Sequence, residues 1–243
     1  MHRSDALRVA TLLAVLLVLT QPATAQQSAG SQPDTTVSRL SAGSELPEPP
    51  VPAELDGEPY SWLDTERARI YFAEEDARVA ERVGQLLDVQ LPLPGLPDSV
   101  PAGVHAVLAH TPAAFDEITG GVVPEWRAGV AIPSLNMLVM PTGEGVPVFE
   151  GDGLRTLRHE WAHLGLHARL GDLRIPRWFN EGYAEWASGG FDATEAWRLR
   201  VMIATGRAPA MDSLELRWPR GREEARAAYL LSASAVTYLS LIH

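Results

Sequence analysis

Apolar positions recur along most of this 243-residue chain at spacings that identify its elements. Arg69-Ile70-Tyr71-Phe72 has the character of a short strand. It leads into Glu74 to about Gln90, where Ala77, Ala80, Val83 and Leu87 keep the steps of one helical face. Val104 to Ala109 (VHAVLA) is nearly all apolar, as expected of a buried strand. Thr111-Pro112 supplies an N-cap and first-turn pair for a short helix with Ala114, Phe115 and Ile118 on its apolar face, closed by Gly120-Gly121. Gly129 to Ile132 and Leu135 to Met140 are expected to be two strands turning at Pro133-Ser134. Three helices should follow, Leu154 to Leu170, Pro176 to Ala187 and Thr194 to Thr205, each stopped by glycine just beyond its end. A last helix runs from Arg222. It is still apolar and periodic at Leu239, Leu241 and Ile242, so the domain is expected to be shortened at its C-terminus. The domain built from these elements is expected to be α+β.

The beginning of the chain follows other rules. Arg3 and Arg8 precede an almost unbroken apolar run from Val9 to Leu19, and Ala23-Thr24-Ala25 stands before Gln26. The run is shorter than the ~20 residues a membrane-spanning helix needs. Residues 1–25 are therefore expected to be a cleavable secretory signal, placing the protein in the periplasm or outside the cell. Residues 26–59, rich in Gln, Ser, Thr and Pro, are expected to be a flexible linker, with the folded domain over 60–243. No other stretch is long and apolar enough to cross a membrane. The chain has no cysteine, so an exported fold must be stabilised by its core, to which a bound metal would add.

Charge narrows the partners. Every one of the 20 basic residues is arginine, against 31 acidic residues, for a net charge of −11. Such a field argues against nucleic acid and makes strongly anionic peptides poor candidates as substrates.

Chemistry is concentrated between Leu154 and Trp186. His159-Glu160-Trp161-Ala162-His163 places two histidines four residues apart. On a helix they are separated by about 40° around the axis and about 6 Å along it, close enough to share one Zn²⁺. Glu160 lies about 100° round from His159, suited to reach a water beside the ion and act as general base. His167 continues the face but sits about 12 Å along the axis from His159, too far to join them. A third ligand is better found after the turn at Gly171-Asp172. In Pro176-Arg177-Trp178-Phe179-Asn180-Glu181-Gly182-Tyr183-Ala184-Glu185, Glu181 would complete a two-histidine, one-glutamate set. Glu185, one turn on, would accept the second ring N–H of a ligand histidine.

The pair HEWAH and PRWFNEGYAEW resembles the gluzincin metallopeptidases, most closely the bacterial peptidase MA-like domains. The resemblance implies a zincin-like fold, a small mixed sheet packed on the motif helix with a mainly helical C-terminal part. It also implies His159, His163 and Glu181 as zinc ligands and Glu160 as base. Gluzincins use a Tyr or His to stabilise the oxyanion, and here Tyr229 is the first candidate, Tyr238 the second. The stretch Gly129 to Met140 lacks the acid with which aminopeptidases of this group grip a free amine. Leu135 to Met140 is expected to be an exposed strand able to pair with an extended peptide. The function expected is an exported zinc peptidase acting on peptide or protein substrates. The alternative is a zincin-like binding or scaffold module without turnover.

Overall fold

Six consecutive buried residues, Val104–Ala109, form β5 at the centre of a five-stranded sheet. This is a computed structural model, and it describes residues 51–242 apart from 52–53, 56, 90–91, 97–100, 122–127, 144–151 and 172. The expected signal segment and nearly all of the expected linker lie outside the described residues. Ordered chain nevertheless begins before residue 60. Strands β1 (Glu54–Leu55) and β2 (Glu58–Pro59) pair antiparallel. Val51 and Tyr60 pack on the core, and the Tyr60 hydroxyl donates to the Leu108 carbonyl at 2.7 Å.

The large sheet has the order β3-β4-β5-β7-β6, with β3 at Ser61–Asp64, β4 at Ala68–Phe72, β6 at Val130–Ile132 and β7 at Met137–Pro141. The three inner strands are parallel; β3 and β6 are antiparallel edges. Alternation along β5 sends Ala106 and Leu108 into one core and Val107 and Ala109 into the other. Its one polar residue, His105, is satisfied by the Tyr71 hydroxyl at 3.1 Å. The β6–β7 hairpin turns where expected, through a 3₁₀ turn at Pro133–Leu135. Asn136 follows at φ 48°, a left-handed conformation that asparagine tolerates. Its amide donates to the Ala102 and Gly103 carbonyls.

One expectation about this sheet is overturned. Leu135 to Met140 is not an exposed edge. Strand β7 lies between β5 and β6, with Met137 to Met140 buried; the edge on that side, among the described residues, is β6. Both segments are apolar, so composition does not distinguish them. The parallel pairing of β7 with β5 decides the order.

Among the described residues seven α-helices cover the sheet and extend beyond it: α1 (Ala77–Asp88), α2 (Pro112–Thr119), α3 (Asp152–Leu170), α4 (Arg177–Ala187), α5 (Ala193–Ala204), α6 (Met211–Leu216) and α7 (Arg222–Leu241). Helix α2 starts as its sequence dictates, with the Thr111 hydroxyl accepting from Ala114 N–H and Pro112 in the first turn. It packs on one sheet face with Phe115; α1 and α3 pack on the other through Val83, Leu87, Leu157 and Trp161. Asp76, buried at the start of α1, accepts from Thr142 and His110, tying that helix to the ends of β7 and β5. Helix α6, absent from the sequence reading, is too short to show periodicity. The architecture is mixed α+β, with a small mixed sheet and a helical C-terminal part. No helix among the described residues is long and apolar enough to cross a membrane.

Candidate metal centre

Helix α3 is fixed by its apolar side. Leu157, Trp161 and Leu164 are fully buried against the sheet, which turns His159 and His163 away from it. Gly171, at φ 57°, reverses the chain, and α4 returns across α3 with Glu181 buried at the crossing. Two helical turns of α3 thus meet one turn of α4.

The three expected ligands converge. Glu181 Oε2 lies 3.5 Å from His159 Nε2 and 3.5 Å from His163 Nε2. The three ligand atoms all lie within 4.8 Å of one another, so the group can hold a metal ion. The imidazoles meet edge to face, 79° apart, directing two different lone pairs toward one point. Glu181 Oε1 faces the other way, 3.6 Å from Arg177 Nε. His167 is not part of the group.

Each histidine is also held from behind. Glu185 Oε2 lies 3.4 Å from His159 Nδ1. His163 Nδ1 lies 3.1 Å from the Asn180 amide oxygen. An amide oxygen only accepts, so His163 Nδ1 donates and Nε2 keeps its lone pair for a cation. Asn180 was not singled out by the sequence reading, although it sits beside Glu181 in the quoted motif. Its signal is positional, since it falls one residue before the α4 ligand. Gly190 completes the support, because a Cβ there would overlap the Glu185 carboxylate.

Charge in the metal-free group follows from these contacts. Burial disfavours an imidazolium at His159, but hydrogen bonds to Glu181 and Glu185 and the charge of Glu160 outweigh it and raise its pKa to about 10. At Glu185, burial pushes the carboxyl up, yet the His159 hydrogen bond and charge prevail and hold it below its ordinary range. Three carboxylates therefore surround one imidazole that binds a proton strongly. A divalent cation would relieve the same electrostatic demand.

Glu160 is 3% exposed, and its Oε2 has no hydrogen-bond partner among the described residues. A buried carboxylate oxygen left unpaired is costly and calls for an explanation. Glu160 lines a cavity of about 470 Å³ together with His159, Gly129 and Tyr229, so its carboxylate borders space that a water or small molecule can enter. Gly129, just before edge strand β6, crosses the Glu160 stem so closely that a Cβ there would lie 3.2 Å from Glu160 Cγ.

Of the two tyrosines considered, only Tyr229 reaches the site. Its ring meets that of His159 edge to face at 5.9 Å, whereas Tyr238, further along α7, is exposed. Tyr229 is braced by Trp218 at 5.2 Å, and Trp218 in turn carries the Arg177 guanidinium 5.0 Å above its ring. This chain of contacts from Arg177 to Tyr229 joins α4 to α7 through the segment between α6 and α7. No protein-family model matches the chain, and no curated protein matches it at a significant level.

The residues present fit a resident metal of borderline softness. Two imidazole nitrogens and one carboxylate oxygen, with both remaining ring nitrogens anchored, form a donor set that could hold a metal ion.

Proposed function

We propose that the protein is an exported zinc peptidase of the gluzincin kind, its fold zincin-like. The observation that carries this reading is the approach of Glu181 Oε2 to both Nε2 atoms, with Glu160 beside them facing a cavity. His159, His163 and Glu181 would hold the ion. Bound there, Zn²⁺ would act as a Lewis acid on a carbonyl group and lower the pKa of water.

The chain's own groups supply the rest. Glu160, buried and unpaired at Oε2, takes a proton from the attacking water and delivers it to the departing amine. Tyr229, at the cavity wall, donates its hydroxyl proton in a hydrogen bond to the developing oxyanion. An extended substrate pairs with the free edge of β6, where Gly129 lets the backbone come close to Glu160. The basic start, the apolar run and the Ala23-Thr24-Ala25 site within residues 1–25 support export of this activity.

Metal analysis combined with cleavage of an unfolded protein tests the reading. About one zinc per chain and cleavage abolished by chelator and restored by zinc are expected. Zinc without chelator-sensitive cleavage would leave the scaffold alternative standing.

A further inference from the structure

One carboxylate in the cavity wall holds two guanidinium groups. Glu195 Oε1 accepts from Arg198 Nη1 and from Arg226 Nη2, the latter at 2.9 Å. Arg198 and Glu195 lie on α5 and Arg226 on α7, so the arrangement bridges two helices. Glu195 is largely buried, with its side chain 14% exposed, while those of Arg198 and Arg226 remain 44% and 49% exposed. A single negative charge cannot neutralise both cations. Each guanidinium also has five N–H donors, and one bond to Glu195 leaves most of them available.

The pair lines the same cavity as His159, Glu160 and Tyr229. Arg155 and Arg222 line it as well, so four of the chain's 20 basic residues face one space. The remaining acids there are Glu185, facing His159, and Glu223, in the exposed first turn of α7. With a divalent cation offsetting Glu160 and Glu181, the cavity would carry a positive excess despite the net charge of −11.

Resting on the peptidase reading, we propose that this cavity receives a carboxylate of the substrate, with Arg198 and Arg226 as its clamp. A carboxylate matches the planar fork of arginine, and two forks held by a shared counter-charge are ordered before the ligand arrives. The local field thus reverses what the overall charge predicts for anionic peptides. The carboxylate belongs either to an acidic side chain or to the C-terminus of a short peptide.

Binding separates this inference from catalysis. The probes are N-acetyl tetrapeptide amides differing only in Glu against Gln at each position in turn, and the same alanine peptide as free acid against amide. They are titrated calorimetrically into zinc-loaded, full-chain Glu160→Gln protein. The expected result is about tenfold tighter binding of the acidic member of one pair, and that pair identifies the source of the carboxylate. The ratio falls to near one when Arg198→Gln and Arg226→Gln are added. Arg226→Lys, which keeps charge without the fork, gives an intermediate ratio and serves as the second variant should the double one not fold. Equal affinities within every pair overturn the proposal, even if the parent protein hydrolyses neutral peptides. A preserved acidic preference in a parent that cleaves nothing supports the clamp and defeats the peptidase reading instead.

Discussion

Gly182 on α4 touches the backbone of Ser232 on α7, so closely that a Cβ on the glycine would lie 2.6 Å from the Ser232 carbonyl carbon and oxygen. Gly182 directly follows Glu181, and Ser232 lies three residues beyond Tyr229. This contact therefore sets the spacing between the helix that carries Glu181 and the helix that carries the cavity tyrosine. Backbone cannot yield as a flexible side chain does, so Gly182→Ala must push the helices apart. Overpacking of this kind costs about 1–3 kcal/mol. A lowered melting temperature is expected together with weaker zinc binding, measured by thermal unfolding with and without zinc. An alanine variant as stable and as tight as the parent would show that the helices have room to spare.

Glu160→Gln removes the basic oxygen while preserving shape. Since Glu160 is not among the three converging ligands, zinc content should stay at about one per chain. Hydrolysis should fall by roughly 10²–10⁴-fold, the range for loss of a positioned general base. Metal analysis and peptide cleavage on the same preparation check both halves. Retained activity would remove Glu160 from the chemistry.

What could be read from the amino-acid order alone was whatever a single helix period fixes. His159, Glu160 and His163 needed only the geometry of α3. Glu181 and Glu185 were reachable because α4 follows α3 after one glycine-containing turn, with no long-range topology to guess. Residues brought in from afar were harder. Tyr229 and Tyr238 both sit in an apolar helix, and only the packing of α7 on α4 separates the one facing His159 from the one facing solvent. The roles of β6 and β7 were confused because the identity of the edge depends on which strand pairs with β5. Arg198, Arg226 and Glu195 form no motif, being gathered from two helices, and the total charge pointed in the opposite direction. Asn180 carries no charge and falls at no ligand spacing, so its role follows only from the approach of its amide oxygen to His163 Nδ1.

Asn180 and Glu185 hold the histidines at Nδ1, on the side of each ring turned away from Glu181. Their loss should act on affinity more than on stoichiometry. Asn180→Ala frees the His163 ring, and Glu185→Gln weakens the acceptor behind His159; each is expected to lower zinc affinity by roughly 10–100-fold. Competition against a chelator of known affinity measures this. Asn180→Asp, which still offers an acceptor at Nδ1, should recover much of the loss. Affinities unchanged in both first variants would mean that α3 alone orients the rings.

The protonation of His159 makes zinc uptake and metal-free stability depend on pH in opposite ways. In the metal-free fold its pKa is raised to about 10 from an ordinary 6.5. That contribution to stability is fully present below about pH 6.5 and is lost as pH rises through about 10. Glu185 is shifted the other way, below its ordinary 4.5, so its contribution is present above that value and lost as pH falls through its lowered pKa. Chelator-stripped protein should therefore melt progressively lower between pH 7 and 10, and lower again under acid. Zinc must displace the His159 proton to bind. Its apparent affinity should thus rise with pH, about tenfold per unit while one proton is released. Zinc-loaded protein, in which the ring is neutral and occupied, should show a flatter alkaline profile than the stripped form. Parallel melting curves at pH 7 and 9.5, with and without zinc, measure this; identical alkaline slopes would mean that His159 is not the site where metal and proton compete.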